Sequence, residues 1–314
     1  MILVTGATGY IGRRLLPWLH AEGGRVRILL RPRPKSPRLP TGLALEVALT
    51  SLADLRGVRA AMVGVDRVIH LASAAADGPR GDLYATDVAG TENVVQAAAD
   101  ASVRQIVFLS HLGASRASAY PLLRAKALAE EHIRNSGLPH LILRCGPIFG
   151  PGDRFLTRLA MMLAASPVVL PIPGEGAVQL HPLWLEDLVT ALQWLLDDPE
   201  AKLGTHEVGG PEHLSLRRVI DLVAETTGYR RIFMPMRPAY MRGLVWLLER
   251  MMPHPPLTTN ALDYLAANRT APLDSMIRLA GLQPARLADR IGFLEEGRWG
   301  WQLMRRQLAV RGAP

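Results

Sequence analysis

The sequence predicts an α/β chain: a doubly wound parallel sheet followed by a smaller, mostly helical C-terminal domain. Two observations carry this expectation. Through residues 1–150, short β-branched runs alternate with alanine- and leucine-rich segments of helical spacing, and such alternation covers a parallel sheet with helices on both faces. After Gly150, Pro151 and Gly152 the alternation stops, and proline- and glycine-rich connections separate helices of unequal length. The 314 residues, 49% of them hydrophobic, suffice for one large unit and a smaller one.

Taken in order, residues 2–5, 26–30, 43–48, 67–71, 105–110 and 141–144 read as strands, each a brief apolar run bounded by turn or polar residues. Residues 11–22, 53–63, 86–99 and 122–135 read as helices from their apolar spacing. Ser51 followed by Asp54 resembles a capping box, and Pro121 suits a first helical position. Further on, 205–209 (THEVG) reads as a late strand and 183–196 (LWLEDLVTALQWLL) as an amphipathic helix with its Trp and Leu side chains in the core. These readings place the sheet domain at 1–150, with 177–212 returning to it, and the smaller domain at 151–176 and 213–314.

Composition narrows the function classes. The chain carries 36 basic and 28 acidic residues, a net charge of +8, and its basic residues are almost all arginine. They are spread along the chain without a helix-turn-helix, zinc-finger or RNA-binding signature, so nucleic acid is not an expected partner. No metal is expected either, since no His, Cys, Asp or Glu cluster has metal-ligand spacing. Cys145 is the single cysteine, which excludes an internal disulfide and fits a reducing compartment. No secretory signal precedes the first strand, and the most apolar stretch, 243–248 (GLVWLL), is far shorter than the ~20 residues that cross a bilayer. A cytoplasmic location, peripheral to a membrane at most, is expected. The helix read over 239–252 (AYMRGLVWLLERMM) leaves open ordinary burial, closure of an apolar pocket, rest on a membrane surface or docking on a membrane-bound partner.

Residues 5–12 read TGATGYIG, placing Gly6, Gly9 and Gly12 between the first strand and the first helix. That spacing permits a tight turn, close backbone approach to a pyrophosphate and close helix–strand packing, the signature of a Rossmann-type dinucleotide loop. Thr8, Tyr10 and Ile11 complete the expected cofactor-binding loop. At the end of the second strand the sequence is LLRPRPK, which offers Arg31, Arg33 and Lys35 and no carboxylate. Cations there suit a ribose 2′-phosphate, so NADP(H) is favoured over NAD(H), with Arg13 as a helper. The alternative for this stretch is a solvated basic loop.

Several segments together resemble the extended and atypical short-chain dehydrogenase/reductase superfamily, of NAD-dependent epimerase/dehydratase type. They are TGATGYIG, HLASAA (70–75), KALAEEHIRNSGL (126–138), ILRCGPIFGPGD (142–153) and HPLWLEDL (181–188). The branch most similar includes the nucleotide-binding accessory subunit of respiratory complex I and its bacterial relatives. The resemblance implies a Rossmann domain that binds NAD(P)(H) and a C-terminal domain that shapes a substrate pocket. It implies that Leu71, Ala72 and Ser73 border the adenine ribose, and that Cys145, Gly146, Pro147 and Ile148 lie beside the nicotinamide. Active members pair a Tyr with a Lys four residues later, plus a hydroxyl at the end of the preceding strand; the lysine lowers the tyrosine pKa and the tyrosine exchanges a proton with substrate.

Here Lys126 has the right context, but Leu122 stands four residues before it and Tyr120 six. Six residues turn a helix by about 600°, leaving the pair about 120° out of alignment unless Tyr120 lies in the loop before Pro121. Ser110 is the strand-end hydroxyl, with His111 beside it. If the chain is active, Tyr120, Lys126 and Ser110 are its catalytic set. The expected role is an NADP(H)-binding protein, noncatalytic or weakly catalytic, with the nucleotide structural or redox-sensing and a membrane complex or surface as partner. The alternative is an NADPH-dependent reductase or epimerase acting on an apolar small molecule.

Overall fold

A computed structural model describes residues 1–32, 39–75, 81–197 and 202–308. Arg33 and Lys35 lie outside the described residues. The chain divides into two compact units, 1–145 with 188–208, and 146–187 with 209–314. The segment expected to return to the sheet is thus shared: 188–208 belongs to the first unit, 177–187 and 209–212 to the second.

The first unit is built on β1 (Ile2–Thr5), α1 (Tyr10–Ala21), β2 (Val26–Leu30), β3 (Leu45–Leu49), α2 (Leu55–Met62) and β4 (Arg67–His70). A π-helical stretch, Tyr84–Ala89, runs directly into α3 (Gly90–Asp100). Then follow β5 (Gln105–His111), α4 (Pro121–Asn135) and β6 (His140–Cys145). The strands form one sheet in the order 3-2-1-4-5-6, all neighbours parallel. Leu3, Val68, Ile106, Phe108 and Ile142 on the sheet pack with Val58, Met62, Val94 and Ile133 on the helices. Burial on both faces explains why the central strands read as apolar runs, whereas edge strand β3 leaves Val47 and Leu49 exposed.

The second unit contains β7 (Ile148–Phe149), α5 (Phe155–Ala165), β8 (Val169–Pro173), β9 (Gln179–Leu180) and β10 (Leu183–Trp184). Helix α6 (Leu185–Asp197) begins there and continues in the first unit, where β11 (Gly204–Val208) adds a parallel seventh strand beside β6. The second unit resumes with β12 (Leu214–Ser215), α7 (Leu216–Thr227), β13 (Ile232–Met236) and α8 (Pro238–Met251). It ends with α9 (Thr259–Tyr264), α10 (Ser275–Ala280), α11 (Leu287–Arg290) and α12 (Trp299–Leu308). Its core gathers Phe149, Leu156, Leu163, Leu180, Val219, Val223 and Leu294.

Four local expectations need correction. The cap of α2 is Asp54, whose carboxylate accepts from Gly57 N at 3.1 Å; Ser51 sits a turn earlier and accepts from Ala53 N. The helix expected over 86–99 opens instead as the π-helical stretch, which spacing at 3.6 residues per turn does not reveal. The proline-rich 167–176 and 235–238 are not mere connections: β8 and β13 pair in parallel there, and a two-stranded ribbon tolerates prolines that a central strand excludes. Trp194 of α6 is exposed, while Leu188, Leu192 and Leu195 fill the core as expected.

Candidate functional site

The sheet order reverses between β1 and β4, and in open α/β sheets ligands bind beyond the strand ends at that point. The glycine loop leaves β1 there. Gly6 has φ +66°, and a Cβ on it would stand 2.6 Å from the Leu71 carbonyl carbon and the Ala72 nitrogen. Gly9 N donates to Gly6 O at 2.9 Å, closing the turn that carries Thr8. Gly9 is also the N-cap of α1, so no side chain occupies the first backbone N–H groups of that helix and no carboxylate sits in its first turn. Gly12 is buried, and a Cβ on it would meet Ala7 O at 2.6 Å. Gly6 and Gly12 are therefore required by backbone proximity, and with Gly9 they leave a bare, positively polarised helix end flanked by Tyr10 and Ile11. That arrangement fits a dinucleotide pyrophosphate.

The facing loop after β4 is fixed by four polar contacts. Leu71 N donates to Thr5 O at 3.1 Å, Ala74 N donates to Asp87 Oδ2 at 2.8 Å, and Ser73 Oγ accepts from Ala75 N. Ala72 N also reaches Thr5 Oγ1 at 3.4 Å. Arg31 is exposed at the end of β2.

Behind this loop lies a buried polar chain that the sequence did not announce. His70 is buried between Thr5, 2.6 Å from Nδ1, and Thr91, 2.9 Å from Nε2. Thr91 Oγ1 donates to Asp87 O at 2.6 Å, so His70 Nε2–H donates to Thr91 and His70 Nδ1 accepts from Thr5. Burial first, then the Lys126 ammonium, pull the His70 pKa down to about 3 against the opposing pull of Asp87. The imidazole is neutral.

Lys126 itself is only 3% exposed. Its ammonium pairs with Asp87 Oδ1 at 3.1 Å, reaches Leu109 O at 3.4 Å and lies 4.8 Å from the Phe108 ring centre. The structure does not join it to the other two members of the expected catalytic set. Tyr120 is the N-cap of α4 with extended backbone; Pro121 begins the helix, as the sequence predicts. Its hydroxyl has no hydrogen-bond partner among the described residues. Ser110 Oγ donates to Glu130 Oε1 at 2.6 Å. Glu130, fully buried, also accepts from Arg144 at 2.7 Å and Arg134 at 3.0 Å. Burial pushes its carboxyl pKa up, but bonds from Arg144, Ser110 and Arg134 outweigh burial and hold it below the ordinary range. His111 is half-buried at the end of β5.

Of the segment expected beside the nicotinamide, Cys145 ends β6 with its thiol buried and its pKa pushed up to about 12 by burial, which makes it a poor nucleophile. Gly146 and Pro147 are buried in the second unit and Ile148 is half-buried. A Cβ on Gly146 would meet His181 O, and Pro147 O accepts from Leu183 N at 2.9 Å. His181 is itself pinned, bonded to Gly210 O and accepting from Ala271 N. An apolar cavity of about 20 Å³ in this unit touches Leu159, Met162, Leu216 and Met241, far less space than the ~300 Å³ or more of a ligand pocket. Among the described residues no cluster of His, Cys, Asp or Glu is placed to hold a metal.

Residues 6–153 match a family model described as NAD(P)H-binding, which spans the glycine loop and the Asp87–Lys126 pair together. The chain has an NAD(P)-binding fold of the extended short-chain dehydrogenase/reductase type. A UDP-glucose 4-epimerase of Thermus thermophilus, solved with NAD, superposes with a TM-score of 0.67 at 21% identity, covering 100% of this chain and 99% of that one. Sterol demethylase protein B of Methylococcus capsulatus is 29% identical over 94% of this chain and 98% of its own length. Subunit 9 of the NADH dehydrogenase [ubiquinone] 1 alpha subcomplex from Arabidopsis thaliana is 28% identical over 75% of this chain. The match spans 61% of that plant subunit's length.

Proposed function

We propose that the protein holds NADP(H) as a structural or redox-sensing ligand, without turnover or with weak turnover, and acts through contact with a membrane complex or membrane surface. The observation that carries this reading is the state of the proton-transfer parts. Lys126 is paired with Asp87, Ser110 is bonded to Glu130, and Tyr120, at the helix cap, makes no hydrogen bond to either among the described residues. A nucleotide in the cradle would rest its pyrophosphate on Gly6, Thr8, Gly9, Tyr10, Ile11 and Gly12. Leu71, Ala72 and Ser73 would border its adenine ribose. Cys145, Gly146, Pro147 and Ile148 would border its nicotinamide, and Lys126 its second ribose. Arg31 and Arg33 favour the extra phosphate of NADP(H). The bound group supplies hydride chemistry; the chain supplies binding and orientation.

The complex I subunit named among the relatives supports the partner half of this reading. A second reading, an active NADPH-dependent reductase or epimerase on an apolar small molecule, is favoured by the nearly full-length match to sterol demethylase protein B. Identifying the copurified nucleotide, then challenging bound NADPH with carbonyl and quinone compounds, separates the two. The first reading expects NADPH that stays reduced; steady oxidation that disappears in Tyr120→Phe contradicts it.

A further inference from the structure

Helix α8 carries exposed apolar residues beyond the side it buries. Met241 and Val245 are buried against the second unit, while Tyr240 (69% exposed), Leu247 and Met251 (72% exposed) form an outer stripe at helical spacing. Trp246, 58% exposed, lies beside that stripe with the Arg250 guanidinium over its ring. Helix α12 repeats the pattern: Trp299 is buried, and Trp301, Met304 and Leu308 are exposed at positions one turn apart. The loop just beyond α8 meets the end of α12, where His254 N donates to Gln307 Oε1 and Gln307 Nε2 donates to His254 O. A surface helix needs one apolar stripe to dock on its own core; a second, outward one is surface left for a partner.

The charges around these stripes indicate what that partner is. The exposed ionic residues at α8 are Arg237, Arg242 and Arg250; Arg242 pairs with Asp263, and the helix's Glu249 is turned to Thr259. In α12 the ionic residues are Arg305 and Arg306, both exposed, with Arg298 just before it and Glu295 and Glu296 earlier still. Arg306 adds to a group of cations with Arg154 and Arg158 near α5: the Arg158 pKa is lowered to about 10 by burial and by its two arginine neighbours. Tryptophan, methionine and leucine ringed by arginine match the boundary between lipid headgroups and acyl chains. A second copy fits poorly, because a two-fold contact sets the same patch against itself and brings arginine to arginine.

We infer that the outer faces of α8 and α12 form one docking surface for an anionic lipid bilayer. The inference rests on the membrane contact of the proposed function and not on its nucleotide half. The test is cosedimentation of the full-length chain with phosphatidylcholine vesicles, with and without phosphatidylglycerol, alongside light scattering for oligomeric state. The protein is expected to sediment with phosphatidylglycerol vesicles and to be released by salt. Trp246→Ser/Leu247→Ser/Trp301→Ser is expected to abolish binding, and Arg250→Glu/Arg305→Glu to weaken it by roughly tenfold or more. Both sets lie on exposed positions, and unchanged NADPH uptake and melting temperature certify the fold. No sedimentation with anionic vesicles, or binding untouched by both variants, overturns the inference. So does a dimer that the triple variant dissociates, since that assigns the face to a second copy. Failure of the wild type to take up NADPH while still sedimenting overturns the nucleotide reading alone.

Discussion

At the level of single residues, the cradle depends on atoms that are absent. Gly6 combines a left-handed backbone with a neighbour 2.6 Å from where a Cβ would stand, and that neighbour is backbone. Gly6→Ala is therefore expected to cost about 1–3 kcal/mol of stability and to weaken NADPH binding more than tenfold, measured by urea unfolding and calorimetry. His70 gives a pH signature with a definite sign. Its pKa is about 3 in the folded chain against 6.5 unfolded, so between those values the unfolded chain binds the extra proton. The contribution of His70 to stability is complete above pH 6.5 and is lost as pH falls toward 3, at up to about 1.4 kcal/mol per pH unit. His70→Gln is expected to flatten the fall in unfolding free energy between about pH 7 and pH 5 relative to wild type. An identical slope in both proteins contradicts this description of the buried chain. Asp87→Asn leaves the Lys126 ammonium without its partner in a buried site, and an expected loss of about 3–5 kcal/mol in chemical unfolding checks that the pair is ionic.

Among the elements, the α2 terminus decides between two readings of one motif. Asp54→Ala is expected to cost about 1 kcal/mol and Ser51→Ala only a few tenths, because only Asp54 accepts from the first turn of the helix. The strands and most helices were legible, since a buried parallel sheet writes itself as short apolar runs and its covering helices as periodic ones. The π-helical stretch before α3 was not. Asp87 lies within it, an acid inside an apolar segment, and nothing local in TDVAGTENVV says that its carboxylate bridges Ala74 N and a lysine on a distant helix. Ser110 illustrates the same difficulty: its position at a strand end reads as catalytic, whereas its partner Glu130 belongs to α4 and is identified only by packing. The signal that sequence did hold was the apolar context of Glu130 in KALAEEHI, where an acid on the inner face requires cations nearby.

For the molecule as a whole, the legible half of the site is the half made of backbone. A glycine loop between strand and helix is fixed by local sterics, so its function can be read in order along the chain. The proton-transfer half depends on where Tyr120 falls relative to the α4 axis and on which carboxylates claim Lys126 and Ser110; those are tertiary facts. A chain that binds nucleotide only when folded gains stability by mass action, and at a hundredfold excess over Kd the gain is about 2.7 kcal/mol. Thermal unfolding is therefore expected to shift upward with added NADPH, and Tyr120→Phe is expected to leave that shift intact.

The nucleotide half of the proposed function depends on a pyridine dinucleotide occupying the Gly6–Gly12 cradle. Titration calorimetry of the purified chain with NADPH, NADH and ADP-ribose measures that occupancy itself. Uptake of NADPH, tighter than NADH and lost in Gly6→Ala, is expected; the absence of any binding heat for both nicotinamide nucleotides would refute it.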